Sequence, residues 1–293
     1  MRQQINQSPL VSVILPVHNA SKYLSKALES LRYQTYDNFE IIAIDDASTD
    51  DSYAILKKYA QTEPRLRVFR NKTNLKIART LNFGLTKAKG SFIARMDADD
   101  FSLPNRFLKQ VKFLLAHPGV VVVGGQCLTI DKDDRVTGEK IFPTTHIGIH
   151  DLMYTANPLQ HPSIMIRRSL LPKNFSWYNP LLTPAEDLDL FFRLGKYGLY
   201  ANLHSFILMY RQHIDSETFK NPKYTFQITQ KVRHLAVRRY GYRPSLKSKI
   251  VSQVQKVVIK LIPTSMIFPL YTLVRRTKIK ETMDHLRLRL SLS

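Results

Sequence analysis

Residues 92–100 read FIARMDADD. A short apolar run, Phe92, Ile93, Ala94 and Met96, leads straight into three carboxylates, Asp97, Asp99 and Asp100. Like charges this close repel and raise one another's pKa. Two arrangements relieve that. A divalent cation can sit among the carboxylates, or the turn can be solvated with one Asp capping the next helix. The rest of the chain has to decide between them.

Upstream lie three more strand-like runs: LVSVILP (10–16), FEIIAID (39–45) and LRVFR (66–70). Helical patterns separate them. After the first run, Leu24, Ala27, Leu28 and Leu31 recur at helical spacing, with Asn19 or Ser21 as the cap. The second helix is ASTDDSYAILKKYA. The third is IARTLNFGLTKAKG, with Gly90 as its stop. Strands alternating with helices predict a Rossmann-like α/β fold, with a mostly parallel central sheet and helices on both faces. Ligands of such sheets bind beyond the C-terminal strand ends. Four polar clusters fall there: PVHN, DDASTD, NKTNLK and DADD. Further on, RFLKQVKFLLAH reads as a helix opened by Pro104, GVVVVGGQCLTI as a strand, AEDLDLFFRLGKYG as a helix and ANLHSFILMYRQH as a strand. Residues 131–180 are loop-rich.

Composition sets the outer limits. The chain has 293 residues, 44% hydrophobic and 10% aromatic, which suits a globular protein with a sizeable core. Its single cysteine, Cys127, can form no internal disulfide and no zinc cluster, in keeping with a reducing compartment. The first 19 residues lack a signal-peptide pattern, so no export is expected. A G-x-G-x-x-G after the first strand and a G-x-x-x-x-G-K-[ST] are both missing, which argues against a dinucleotide dehydrogenase and a P-loop NTPase.

Four sites carry candidate chemistry, each with an ordinary structural alternative. Asp97 and Asp99, two apart on a turn, can face one ion; Mg²⁺ and Mn²⁺ favour such oxygen ligands and share them with diphosphates. Asp45 and Asp46 can accept from a ribose hydroxyl or a base N–H, or serve near a helix cap with Ser48 and Asp50. Glu186 and Asp187 open a helix, where the dipole favours the ionised carboxylate that a general base requires; dipole complementarity alone would also explain them. His213 can ligate a metal or be an ordinary histidine.

Taken together these segments resemble family-2 glycosyltransferases, inverting enzymes of the GT-A fold. The resemblance runs over about residues 9–215, through VSVILPVHNA, EIIAIDDASTD, NLKIARTLNFGLTKAKGSFIARMDADD, HPSIMIRRS and AEDLDLFFRLGKYG…YRQH, in the family's order. It implies a nucleotide held by Pro16, Val17, His18, Asn19, Asp45, Asp46 and Asp97. It implies a divalent cation, Mn²⁺ or Mg²⁺, on Asp97 and Asp99, with His213 completing the site, and Asp187 as the base. His161 and Glu186 border the acceptor; the segment LQHPSIMIRRS that carries His161 reads equally as a buried strand, SIMI, with flanking charges. Lys76 stands where a small residue is frequent and can instead reach a phosphate. Ala20 stands where an acid is common. The implied organisation is a catalytic domain over 1–219, with a nucleotide-binding half at about 9–100 and an acceptor half at 101–219, followed by a basic helical region over 220–293. The implied partners are a nucleotide-sugar donor, UDP-linked most commonly, and a glycan or lipid-linked acceptor.

Charge is concentrated at the C-terminal end. From Lys220 onward there are 17 Lys/Arg against 2 acids, which accounts for +15 of the net +21. Over 246–261, Ile250, Val251, Val254, Val258 and Leu261 share one helical face, while Lys249, Ser252, Gln253, Lys256 and Lys260 share another. This basic amphipathic pattern suits the surface of an anionic membrane. The apolar run 257–274 is interrupted by Lys260, Pro263 and Pro269, which disfavours a span. The expected location is cytoplasmic, peripheral at the inner membrane face. Two competing readings are a basic nucleic-acid-binding protein and a nucleotidyltransferase. The first finds no recognition motif and no nucleic acid is expected; the second lacks a Gly-rich loop after the first strand.

Overall fold

A computed structural model describes residues 8–212, 221–263 and 266. Strands β1 (Val11–Val17), β2 (Phe39–Asp45), β3 (Leu66–Arg70) and β4 (Phe92–Arg95) alternate with helices α1 (Ser21–Arg32), α2 (Ser52–Ala60) and α3 (Lys76–Lys87). β5 (Phe101–Ser102), α4 (Arg106–Ala116), β6 (Val120–Ile130), β7 (Val136–Lys140) and α5 (His146–Leu152) follow. β8 (Met165–Arg167), α6 (Glu186–Leu194), β9 (Leu199–Arg211), α7 (Pro222–Arg239) and α8 (Leu246–Leu261) complete the order.

One nine-stranded sheet runs β3-β2-β1-β4-β8-β6-β9-β5, with β7 hydrogen-bonded to β6. β1 to β4 are parallel to one another, as are β6 and β9. β8 is antiparallel to both β4 and β6, so all the long strands run the same way and end on one edge. β1 and β2 are buried along their whole length, as parallel strands covered on both faces must be. Their side chains alternate between two cores. Val13, Leu15, Ile41 and Ala43 pack with Leu24 and Leu28 of α1, Leu56 of α2 and Phe107 of α4. Ile14, Ile42 and Ile44 pack with Leu81 of α3, Ile149 of α5, Phe191 of α6 and Val232 of α7. Pairing of β1 with β4 stops at Ile14, so Pro16, which has no N–H to donate, lies past that ladder.

The SIMI segment of the loop-rich stretch forms β8, a three-residue strand that stitches the two parallel blocks together. The sequence expectations and the structure part in two places. α1 has Ala20 as its N-cap with no capping side chain. Its orphan donor is taken from the next loop instead, Ser21 N–H donating to Asp50 (2.9 Å), with Ser52 N–H on the other oxygen (3.0 Å). Burial alone would raise the Asp50 carboxyl, but the Ser52 and Ser21 hydrogen bonds outweigh it and hold it at about 2. Gly90, expected to stop α3, lies beyond Ala88, the helix's C-cap residue. A Cβ at Gly90 would lie 2.6 Å from Ser12 N and 2.7 Å from Leu10 O, so the glycine is required by close approach to β1. Ser12 Oγ locks this corner, accepting from Gly90 N–H and donating to Glu40 (both 2.7 Å).

Among the described residues no helix is long and apolar enough to cross a membrane. Gly90→Ala should cost about 1–3 kcal/mol through overpacking, read as a lower denaturant midpoint with an unchanged m-value.

Candidate active site

The C-terminal edge of the sheet gathers the polar clusters. β4 is short and buried, and it delivers the acidic turn directly into the edge. One oxygen each of Asp97, Asp99 and Asp100 lies within 4.8 Å of the others. Asp97 and Asp99 are half-buried; Asp100 is fully buried, and its Oδ2 has no hydrogen-bond partner. Burial pushes the Asp97 carboxyl up, with Asp99 adding to the rise and Arg95 opposing it. Asp100 is pushed well above the carboxylate range by burial, Asp99 and Asp97. A compact all-oxygen donor set with raised pKa values fits a hard divalent cation. Asp97 and Asp99 would hold it, while Asp100 is tied inward by the Arg211 N–H (2.8 Å).

Two arginines that the sequence reading assigned no role organise this turn. Arg95 is buried at the end of β4 and pairs through Nη2 with Asp97 (2.5 Å). Its Nε and Nη1 have no hydrogen-bond partner among the described residues. Arg211, at the end of β9, is 1% exposed. Its Nε donates to the Asp99 carbonyl (2.9 Å), Nη1 to the Asp131 carbonyl and Nη2 to Asp134 (2.5 Å). Its guanidinium lies 4.0 Å from the Tyr23 ring centroid of α1. One side chain thus fixes the acidic turn against the β6–β7 hairpin and the first helix.

Where the sequence places the expected nucleotide residues, Pro16 and Val17 are buried strand residues, and the Val17 carbonyl accepts from Asp46 N–H (2.7 Å). His18 and Asn19 are exposed. The His18 ring meets the Asp46 carbonyl (2.9 Å) and Asn74 Nδ2 (3.0 Å). Asn19 Oδ1 accepts from Thr49 N–H (2.9 Å). Asp46 Oδ1 accepts from Asn71 Nδ2 and Leu75 N–H (each 2.8 Å). Asp45 is fully buried, pairs with Arg70 (2.9 Å), and leaves Oδ1 without a partner. That orphan oxygen is an acceptor suited to a nucleobase N–H. Asn19, Ala47 and Lys76 adopt φ of 49°, 55° and 67°, the left-handed region that favours glycine. This is why a small residue would suit position 76. The exposed Lys76 side chain stands at the start of α3.

On the opposite side, α6 begins at Glu186. Asp187 is half-buried; its Oδ1 accepts from Leu188 N–H and its Oδ2 from Asn157 Nδ2 (both 2.7 Å). Burial pushes its carboxyl up from the ordinary value, against the Leu188 N–H, Arg95 and Asn157. Glu186 is 6% exposed, and burial together with Asp187 raises it to about 7. His161 lies in the floor, buried, with its Nε2 2.8 Å from Tyr178 OH. Burial, with Arg95, keeps the imidazole neutral. The charge of Arg95 is felt at Asp97, Asp187, Glu186, Tyr178 and His161, so the acidic turn and the α6 carboxylates share one pocket of charge. His213 lies outside the described residues.

Of the residues that the sequence reading left without a role, Arg95 carries a signal: an arginine two before Asp97 on a buried strand shares its face. Asn157 and Tyr178 have no local signal. Arg211→Ala should cost about 1–3 kcal/mol in a chemical denaturation experiment, because it removes the donor of the Asp99 and Asp131 carbonyls. Glu186 should make stability pH-dependent in a defined direction. Its pKa is near 4.5 unfolded and about 7 folded, so the folded state is favoured at low pH and loses that advantage as pH rises through about 7. Glu186→Gln should flatten the melting temperature between pH 5 and pH 8 relative to wild type.

The comparisons with known proteins agree with this geometry. The sequence model described as Glycosyl transferase family 2 matches residues 12–175. EpsE of Bacillus subtilis (strain 168), a putative glycosyltransferase, is 36% identical over 228 residues, covering 76% of this chain and 80% of that protein. WbnJ of Escherichia coli, an O-antigen biosynthesis glycosyltransferase, is 31% identical over 210 residues, covering 70% and 80%. Among solved structures, residues 1–349 of S. aureus TarS in complex with UDP superpose with a TM-score of 0.57 at 23% identity, over 77% of this chain and 65% of that one. This chain therefore spans just under two thirds of that fragment. The mannosyltransferase PcManGT of Pyrobaculum calidifontis, in complex with GDP-Man and Mn²⁺, gives 0.57 at 16% identity, over 92% and 81%. The parallel sheet edge, the acidic turn and the family match lead to one conclusion: the chain is a GT-A-fold enzyme belonging to family 2 of the glycosyltransferases.

Proposed function

We propose that the protein transfers a sugar, with inversion, from a UDP-sugar to a hydroxyl of a glycan or lipid-linked acceptor in the synthesis of a cell-surface polysaccharide. The observation that carries this reading is that one buried cation, Arg95, acts on two carboxylate sets. Asp97 and Asp99 occupy the end of β4 and Glu186 and Asp187 the start of α6; Arg95 pairs with Asp97 and opposes the upward shifts of Glu186 and Asp187. The O-antigen role of WbnJ and the UDP bound by TarS support the choice of pathway and nucleotide.

In this reading His18, Asn19, Asp45 and Asp46 hold the nucleoside, with the orphan Asp45 Oδ1 accepting a base N–H. Lys76 reaches the diphosphate from the start of α3. Asp97 and Asp99, with His213, would hold a Mn²⁺ or Mg²⁺ ion, which would supply positive charge to the diphosphate. Asp187 removes the acceptor's hydroxyl proton. The oxygen then forms a bond to the anomeric carbon as the bond to the diphosphate breaks, and UDP leaves. Asn157 orients Asp187 through its hydrogen bond to Oδ2. The raised pKa of Asp187 makes it a stronger base than a free carboxylate, which favours proton removal near neutral pH. Glu186 and His161 line the acceptor side. The nucleotide half covers about residues 9–100 and the acceptor half 101–219. The basic region 220–293 holds the enzyme at the inner face of the cell membrane.

UDP release from a panel of UDP-sugars in the presence of Mn²⁺ tests this. Asp187→Asn should slow turnover about 10²–10⁴-fold while leaving UDP affinity within about twofold, since Asp187 contacts no nucleotide in this account. Release of pyrophosphate, or full activity in Asp187→Asn, would refute the reading.

A further inference from the structure

The amphipathic pattern of α8 is real, but its orientation is the reverse of a core helix. A helix on a globular protein normally turns its apolar stripe inward. α8 docks instead through its small polar face. Ser248 and Ser252 are buried, Ser248 Oγ donates to the Asp151 carbonyl (3.0 Å), and Ser252 Oγ donates to Gln230 Oε1 (3.4 Å). Gln255 Nε2 donates to the Thr155 carbonyl (3.0 Å). The aliphatic face points away: Leu246, Ile250, Val254, Val257, Val258 and Leu261 are 42–78% exposed. Along one rim of this face stand Lys249, Lys256 and Lys260, Lys247 interrupts it, and residues 246–261 contain no acid.

We propose that this outward face of α8 is a docking surface for an anionic lipid membrane, and that it places the acceptor side of the cleft against that membrane. The aliphatic stripe inserts at the headgroup–acyl boundary and the lysines meet acidic headgroups. A second copy of this chain would bring the same uncompensated lysine rims face to face, so charge complementarity favours lipid. The placement bears on catalysis through three residues of chain. Gln255 of α8 holds Thr155, and two residues on, Asn157 holds Asp187. In this proposal a lipid-linked acceptor comes to the base from the side that α8 holds through these two hydrogen bonds. This rests on the transfer reading above.

Flotation of the full chain with vesicles separates the outcomes. Wild type should co-float with phosphatidylglycerol-rich vesicles and much less with pure phosphatidylcholine vesicles. Ile250→Glu/Val254→Glu/Val257→Glu should weaken flotation about tenfold or more, and Lys249→Gln/Lys256→Gln/Lys260→Gln should weaken it mainly on the anionic vesicles. Melting temperature, and UDP release from the donor by hydrolysis without acceptor, should be unchanged in both variants. The proposal is overturned if wild type does not float, or if the glutamate variant floats as wild type does. It is also overturned if that variant changes only the oligomeric mass in light scattering, which would assign the face to a second copy. Loss of UDP release in wild type would count against the transfer reading, whereas loss of flotation alone counts against the docking surface.

Discussion

The structure depends on the confinement of like charge at the end of β4. Three carboxylates are brought within reach of one another at the edge of a buried sheet, where burial and mutual repulsion both oppose ionisation. The protein offsets this partly with its own cations. Arg95 pairs with Asp97, and Arg211 clamps the turn through the Asp99 carbonyl and the Asp100 carboxylate. Arg106 lies beneath, fully buried, with Nη2 on the Arg95 carbonyl (2.7 Å), and burial lowers its own pKa to about 9. The compensation is incomplete, since Asp100 Oδ2 stays unpartnered and Asp97 and Asp100 stay raised. An incompletely neutralised acidic turn is the condition under which a cation arriving with a diphosphate binds well.

The surrounding loops follow from the same geometry. Parallel strands that end on one edge must turn sharply there, and four non-glycine residues among those described take positive φ: Asn19, Ala47, Lys76 and Asp134. All four belong to the site or to the hairpin that Arg211 grips. Backbone in this region is costly for a side-chain-bearing residue and persists where surrounding bonds determine it. Here those bonds include Asn19 to Thr49, Lys76 N–H to Asn74, and Asp134 to both Lys26 and Arg211.

Much of this was legible in the sequence, for physical reasons that also mark the limits. β1 to β4 are legible because strands covered on both faces are continuous apolar runs, and α1 and α3 because Leu24, Leu28, Leu81 and Leu85 keep helical spacing. The acidic turn gains meaning from its place after a parallel strand. β8 is legible only as one of two readings of SIMI, because three residues carry no period. Arg211 is missed because its partner Asp99 lies 112 residues away in the chain. The upward shift of the Asp187 carboxyl is not legible, because the helix dipole is local while burial is set by the whole fold. The period of α8 shows that it has an apolar face but not which way that face turns; Ser248, Ser252 and Gln255 decide that through tertiary hydrogen bonds.

The central claim is that the acidic turn is a cation-dependent nucleotide site. Calorimetric titration of UDP into the protein, with Mn²⁺ and then with EDTA, on wild type and on Asp99→Ala, tests it most directly. The account predicts UDP binding that requires Mn²⁺ and is lost in Asp99→Ala with the fold intact. Equal UDP affinity in EDTA, or in Asp99→Ala, would contradict it and leave the three carboxylates as a solvated turn.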